Sequence, residues 1–103
     1  MSDNIRGLYF GIGKDPEILS VENDLHALQK LVGGYIETVT LSYKMVLVCN
    51  EEGIGYGLKE NRQVKIRNRI ITVYGDFIIL GYKSDEFISL DDRDIEELKM
   101  YVI

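Results

Sequence analysis

The spacing of the apolar residues changes at Gly33-Gly34, and this change constrains the fold more than any other feature of the sequence. Before the glycines, four apolar residues recur at the spacing of one helix face: Val21, Leu25, Leu28 and Val32. After them, residues 35–41 are rich in β-branched side chains, with residues 35, 37, 39 and 41 on one face and residues 36, 38 and 40 on the other, as a half-buried strand requires. Glycine tolerates the left-handed conformation that ends helices. The sequence therefore predicts a helix with Ser20 as its N-cap, a stop at Gly33 and a strand beyond it.

Most of the remaining chain is typical of β structure. The predicted strands cover residues 4–12, 35–41, 45–49, a hairpin partner through Tyr56 and Leu58, 62–69, 69–74 and 76–82. An irregular loop is expected after Pro16, and a turn at residues 50–53. Gly75 separates the last two runs and is expected to mark a bend or bulge rather than a full turn.

A second helix is predicted near the C-terminus. Asp91 stands where an N-cap is needed, and Asp94 follows three residues later, in a capping-box-like arrangement. Ile95, Leu98 and Val102 would form its packing stripe. Since the connections are too short for helical crossovers, we predict one α+β domain over residues 1–103, with a single mostly antiparallel sheet of about five or six strands and two helices packed on it.

Cysteine content and hydropathy bear on the compartment. The single Cys49 excludes an internal disulfide, and its apolar neighbours suggest a buried thiol. The first apolar stretch is too short for a signal peptide, and the longest, residues 70–82, is interrupted by Asp76. We expect a cytoplasmic protein that does not associate with membranes.

The residue types needed for common catalytic and metal centres are missing. One Cys and one His cannot supply the several thiolate or imidazole ligands of a zinc site, and His26 has no recognisable nucleophile beside it. Residues 11–14 place two glycines before a lysine but lack the spacing of a phosphate-binding loop. We therefore predict no catalytic residue, no metal site and no cofactor.

Charge is unevenly distributed along a chain whose net charge is −5. Residues 59–69 are mainly basic and residues 85–97 mainly acidic. Six of these charged residues are the candidates for contact with a partner: Asp91, Asp92, Asp94, Lys65, Arg67 and Arg69. The three basic residues alternate along a predicted strand at about 6.6 Å, which could follow the phosphates of a nucleic acid. Charges on an exposed strand also prevent aggregation, so nucleic acid is not the favoured partner.

Polar residues beside predicted turns offer an alternative site. Asn50, Glu51, Asn61 and Asp76 flank strand ends and could line a pocket for a small ligand or nucleotide at one end of the sheet.

Several runs together resemble an uncharacterised small domain family carried by bacteriophages, plasmids and gut bacteria. The resemblance covers residues 17 to 98 and depends on an ordered set of motifs: LQKLVGGYIE, NEEG, Asn61 and GDF. The family has no established enzymatic mechanism, so the resemblance implies no catalytic residue. It implies a small accessory protein of a phage or mobile element that works in a bacterial host cell, in the context where candidate inhibitors of bacterial defence are found.

Small size, bipolar charge and seven Tyr favour a non-enzymatic protein that binds and modulates a host or defence protein. A small-ligand or nucleotide-binding domain is the alternative hypothesis. The sequence leaves a homodimer open.

Overall fold

A computed structural model describes residues 3–103. These residues form eight strands, two α-helices and a 3-10 turn. In chain order the elements are β1 (Asn4–Phe10), β2 (Glu17–Glu22), α1 (Leu25–Val32), β3 (Ile36–Ser42), β4 (Met45–Asn50), β5 (Glu60–Ile66), β6 (Arg69–Tyr74), β7 (Phe77–Lys83), β8 (Glu86–Ile88), α2 (Asp92–Glu97) and the 3-10 turn (Leu98–Met100).

Six of the strands form the main sheet, in which every pairing is antiparallel. The order is β2-β1-β7-β4-β3, and β8 pairs with the last residues of β7. The central strands β4 and β7 are almost wholly buried along their length, which explains their unbroken apolar sequences. The sheet therefore has a covered face on each side.

Two apolar clusters cover these faces. On one face, Leu28 and Val32 of α1 are buried, and Leu28 packs with Val46, Val48 and Ile78. On the other face, the β5–β6 hairpin and α2 enclose a second cluster: Phe10, Leu41, Met45, Leu47, Cys49, Val64, Ile66, Val73, Phe77, Ile79, Leu90 and Leu98. The α1 layer, the main sheet and the hairpin layer thus stack in that order.

The start of α1 differs from the sequence prediction. Residues 17–22, expected to be loop and the first helical turn, form β2 against β1, so Ser20 lies in a strand and is not an N-cap. Asp24 caps the helix instead, because its side chain accepts a hydrogen bond from the backbone N–H of Ala27 at 2.8 Å. The predicted stop is confirmed, since Gly33 adopts a left-handed φ of 80°.

The predicted strand over residues 62–69 is confirmed only as far as Ile66. The chain reverses at Arg67-Asn68, so residues 60–66 and 69–74 become the two strands of a separate hairpin sheet. Arg67 takes a positive φ of 54° in this turn, a conformation that sequence reasoning assigns to Gly, Asn or Asp. The hairpin partner expected through Tyr56 and Leu58 is likewise absent, because residues 51–57 form turns.

The C-terminal helix begins as predicted. Asp91 is the N-cap of α2, and the reciprocal hydrogen bonds of a capping box with Asp94 are both present. The helix is short, and Val102 lies beyond it in a single bridge to Val64 of β5.

The α+β class and the mostly antiparallel sheet with two helices are confirmed. The structure adds the separate β5–β6 hairpin. Within residues 3–103, no helix has the length and apolar character needed to cross a membrane.

Candidate functional site

A cleft of about 500 Å³ separates β6 from the face of the main sheet at β3 and β4. We call it the acidic cleft. Its walls come from β3, β4, the loop that follows β4, and β6: Glu37, Val39, Cys49, Asn50, Glu51, Glu52, Gly53, Ile54, Gly55, Ile71, Thr72, Val73 and Tyr74. Three of these residues are acidic and none is Lys, Arg or His.

Glu37, Glu51 and Glu52, here called the cleft acids, are exposed. Within residues 3–103, none of the three takes part in a salt bridge. Three carboxylates with no basic residue in the lining give the cleft a negative potential. This potential favours a positively charged ligand and disfavours a phosphate.

The loop over residues 51–57, here called the cleft loop, is held in place by Asn50. The Asn50 side chain donates to the carbonyl of Val32 at 3.1 Å and accepts from the N–H of Glu52 at 2.8 Å, which joins the end of α1 to the loop. Gly34 permits this approach, because a Cβ there would lie 2.9 Å from the Asn50 side-chain nitrogen. Asn50 is therefore a structural residue of the cleft.

Three large apolar side chains stand exposed where the cleft loop meets the start of β3. Tyr35 is 70% exposed, Ile54 74% and Tyr56 60%. Glu51 donates its N–H to the carbonyl of Tyr35, and the Tyr56 ring lies against Gly34, so these residues share one rim. We call them the apolar rim. Exposed aromatic and aliphatic side chains beside unpaired charges are typical of protein-binding surfaces.

Cys49 lines the cleft but is 7% exposed. Burial, with a smaller contribution from the Glu37 charge, raises the pKa of its thiol to about 11. The thiol is therefore protonated at neutral pH, and a protonated thiol is a poor nucleophile.

The other two predicted ligand-pocket residues lie outside the acidic cleft. Asn61 donates to the carbonyls of Phe10 and Gly75, both at 2.9 Å. Asp76 accepts from the Tyr9 hydroxyl and from the N–H of Ile12, also at 2.9 Å. Burial and the Asp76 contact raise the pKa of Tyr9 to about 12. These hydrogen bonds connect the end of β1 to the bend at Gly75 and to the start of β5.

The acids of the second helix, Asp91, Asp92 and Asp94, are here called the α2 acids. Each has an internal contact. Asp91 and Asp94 form the capping box, Asp92 pairs with Arg6, and Asp94 also lies 3.1 Å from the amine of Lys44. Burial alone would raise the pKa of Asp94, but the hydrogen bonds from Asp91 and Lys44 outweigh it and lower the pKa.

The three basic candidates gather at the tip of the β5–β6 hairpin. Lys65 lies on β5, Arg67 in the turn and Arg69 at the start of β6. All three are exposed, but the chain reversal removes the even spacing along one strand that the sequence predicted.

The sequence placed the turn that carries Glu51 and Glu52 beside a possible pocket, but it did not indicate Glu37 or the apolar rim as parts of the same site. A local signal existed for the rim, since Ile54 and Tyr56 alternate with glycines in a segment rich in turn residues. Glu37 gave no such signal, because its place in the cleft depends on how the hairpin packs over β3.

Among residues 3–103, no group of three or more His, Cys, Asp or Glu side chains is arranged to hold a metal ion.

Comparison with known proteins places the chain in a family. No curated protein and no solved structure matches the chain. A family model described as a domain of unknown function, DUF3846, matches residues 5–103, a wider range than the 17 to 98 of the resemblance. The chain therefore belongs to the DUF3846 family.

Proposed function

We propose that this protein is a non-enzymatic binding protein that docks a positively charged segment of another protein in the acidic cleft. The observation that carries the proposal is that the three cleft acids, which form no salt bridge within residues 3–103, lie beside the apolar rim. Carboxylates attract and orient a basic partner, while aromatic and aliphatic side chains supply the apolar contact area.

The partner we propose is a host or defence protein. Proteins that handle nucleic acids present lysine and arginine to phosphates, and such a surface complements the cleft. The resemblance to an accessory family of phages and mobile elements points in the same direction. Modulation would follow because a partner with its basic surface occupied cannot present that surface to nucleic acid.

The small-ligand alternative has less support. Only Asn50 and Glu51 of its four residues line the cleft, and Asn50, Asn61 and Asp76 use their side chains in internal hydrogen bonds. Nucleotide phosphates would also meet the cleft acids. Thermal-shift measurements with nucleotides should therefore show no stabilisation, whereas a ligand at 100 times its Kd would add about 2.7 kcal/mol.

Selection from a random peptide library displayed on phage tests the proposal. Peptides enriched on the wild-type protein should be net positive. Their affinity should fall about tenfold in the Glu51→Lys/Glu52→Lys variant, because each of these two cleft acids contributes roughly 0.5 to 1 kcal/mol to binding.

The matched control is Asp15→Lys/Glu17→Lys. It changes the net charge by the same amount. Its two substitutions lie at the start of β2 and just before it, and β2 and β3 are the two opposite edges of the main sheet. Equal losses in the two variants would reduce the effect to net charge and contradict a specific cleft. Enrichment of neutral or acidic peptides would also contradict the proposal.

A further inference from the structure

The acidic cleft contains the free edge of a strand. Within residues 3–103, β6 pairs with β5 alone, although it carries four consecutive residues with high strand propensity: Ile70, Ile71, Thr72 and Val73. Residues 71–74 all line the cleft. The β6 edge therefore faces an open space beside it.

The hydrogen-bond pattern of the hairpin shows which backbone groups are free. On the far edge of β5, Lys65 donates its N–H to Tyr101, and Gln63 accepts from the N–H of Ile103. Lys65 and Gln63 thus direct their backbone groups away from β6. Lys65 lies opposite Ile70 and Gln63 lies opposite Thr72, so both are non-hydrogen-bonded pairs of the hairpin. In such a pair the backbone groups of both residues point away from the partner strand, so those of Ile70 and Thr72 point away from β5.

Ile70 and Thr72 consequently direct two N–H and two C=O groups toward the free side of β6. An extended chain at the usual strand spacing of about 4.8 Å would satisfy these groups. Gly53 of the cleft loop packs against the Tyr74 backbone, so the open part of the edge is residues 70–73. These residues span roughly 10 Å at about 3.3 Å per residue, enough for a segment of about four residues. This is the geometry of recognition by strand addition.

We infer that the protein binds its partner by strand addition, in which an extended basic segment pairs with the free edge of β6 inside the acidic cleft. The inference rests on the proposed function and specifies how the segment is held. Backbone hydrogen bonds to Ile70 and Thr72 would fix its position, and the cleft acids would select lysine and arginine on it.

The charge of the cleft favours an extended basic segment over a second copy of this protein. The β6 edge opens into a groove that is also lined by Glu37 and Val39 of β3 and by the cleft loop. Pairing of two β6 edges would bring the cleft acids of both copies close together, and like charges repel. A basic segment is attracted by the same carboxylates.

Amide hydrogen exchange measured by NMR on the full-length protein tests the inference. The probe is the tightest net-positive peptide from the library selection described above. In the free protein the amides of Ile70 and Thr72 should exchange rapidly, because they have no backbone partner within residues 3–103. At saturating peptide their exchange should slow about tenfold or more, as expected for amides that enter a strand ladder.

A matched pair of proline variants provides a second readout. Thr72→Pro removes an outward N–H from the β6 edge and leaves the bonds to β5 in place, so peptide affinity should fall about tenfold. Thr38→Pro is the control. The hydrogen bond from the N–H of Glu51 to the carbonyl of Tyr35 shows that Thr38, three residues along β3, belongs to a non-hydrogen-bonded pair, so its N–H points away from β4. Thr38→Pro therefore removes an equivalent outward N–H from the free edge of β3, and it should leave affinity within about twofold.

The outcomes separate the two proposals. Peptide binding that depends on Glu51 and Glu52 but leaves the Ile70 and Thr72 amides unprotected would overturn strand addition and leave the proposed function standing. The same holds if protection appears on the β3 edge instead. If no net-positive peptide binds, or if the protein dimerises through β6, both proposals are wrong.

Discussion

The α2 acids and the cleft acids are two groups of three carboxylates that differ in their contacts within the molecule. Each of the α2 acids caps the helix or pairs with a basic side chain of the same molecule. Within residues 3–103, the cleft acids have no such ion pair, and they lie beside the apolar rim. The density of acids along the sequence is higher at α2, yet the structure leaves the other group unpaired.

This difference shows that a run of like charges does not identify a binding surface by itself. Three acids close together in sequence can be used by a helix terminus, where the N–H groups and the dipole favour negative charge. Acids distant in sequence, such as Glu37 and Glu52, can share one cleft because the hairpin and the main sheet bring them together. The following predictions test whether the two groups differ in their effects.

The largest expected effect is on stability at α2. Asp94→Ala removes the carboxylate that accepts from the N–H of Asp91 and from the amine of Lys44, so the free energy of unfolding should fall by about 2 kcal/mol. Glu52→Ala, the matched change among the cleft acids, should alter it by less than about 0.5 kcal/mol. Urea denaturation monitored by circular dichroism measures both. Equal losses would contradict the distinction between the two groups.

The second prediction concerns pH. The pKa of Asp94 is lowered in the folded protein, so its contribution to stability is present above its ordinary value of 3.8 and is lost as the pH falls through the folded pKa. The stability difference between wild type and Asp94→Asn should therefore shrink as the pH is lowered from about 5. The corresponding difference for Glu52→Gln should be small and nearly constant. If the stability difference between wild type and Asp94→Asn grows toward acid pH, the pKa of Asp94 is raised in the folded protein and the prediction is wrong.

The third prediction has the smallest effect and concerns the thiol at the cleft wall. Burial and, to a lesser extent, the Glu37 charge raise the pKa of Cys49 to about 11. Glu37→Gln should lower that pKa and increase the rate of iodoacetamide labelling at pH 8 by about threefold, because only the thiolate reacts. Asp91→Asn, far from the cleft, should leave the rate unchanged. A slower reaction in Glu37→Gln would exclude an electrostatic effect of this cleft acid on the thiol.

Local sequence signals predicted several elements well. The stop of α1 at Gly33, the alternation of β3, the buried β4 and the capping box all depend on residues near one another in the chain. The turn at Arg67-Asn68 was missed because it contains no glycine, although it divides the basic segment into two strands. β2 was missed because its pairing with β1 lies across a loop whose sequence favours no strand.

The candidate site was less predictable because its geometry comes from contacts distant in sequence. Asn61 and Asp76 were expected to face a ligand, but they hold β1 and the Gly75 bend together across more than ten residues of chain. Of the two edges of the β5–β6 hairpin, the C-terminal segment covers the one at β5, through Lys65 and Gln63. No spacing within either segment indicates this arrangement.

One measurement tests the central claim that the cleft acids, and not the α2 acids, recognise a partner. The affinity of the selected net-positive peptide is measured for Glu37→Gln/Glu51→Gln/Glu52→Gln and for Asp91→Asn/Asp92→Asn/Asp94→Asn, at a temperature where both variants are folded. We expect a loss of about tenfold or more in the cleft variant and less than about twofold in the α2 variant. A larger loss in the α2 variant, or equal losses in both, would contradict it.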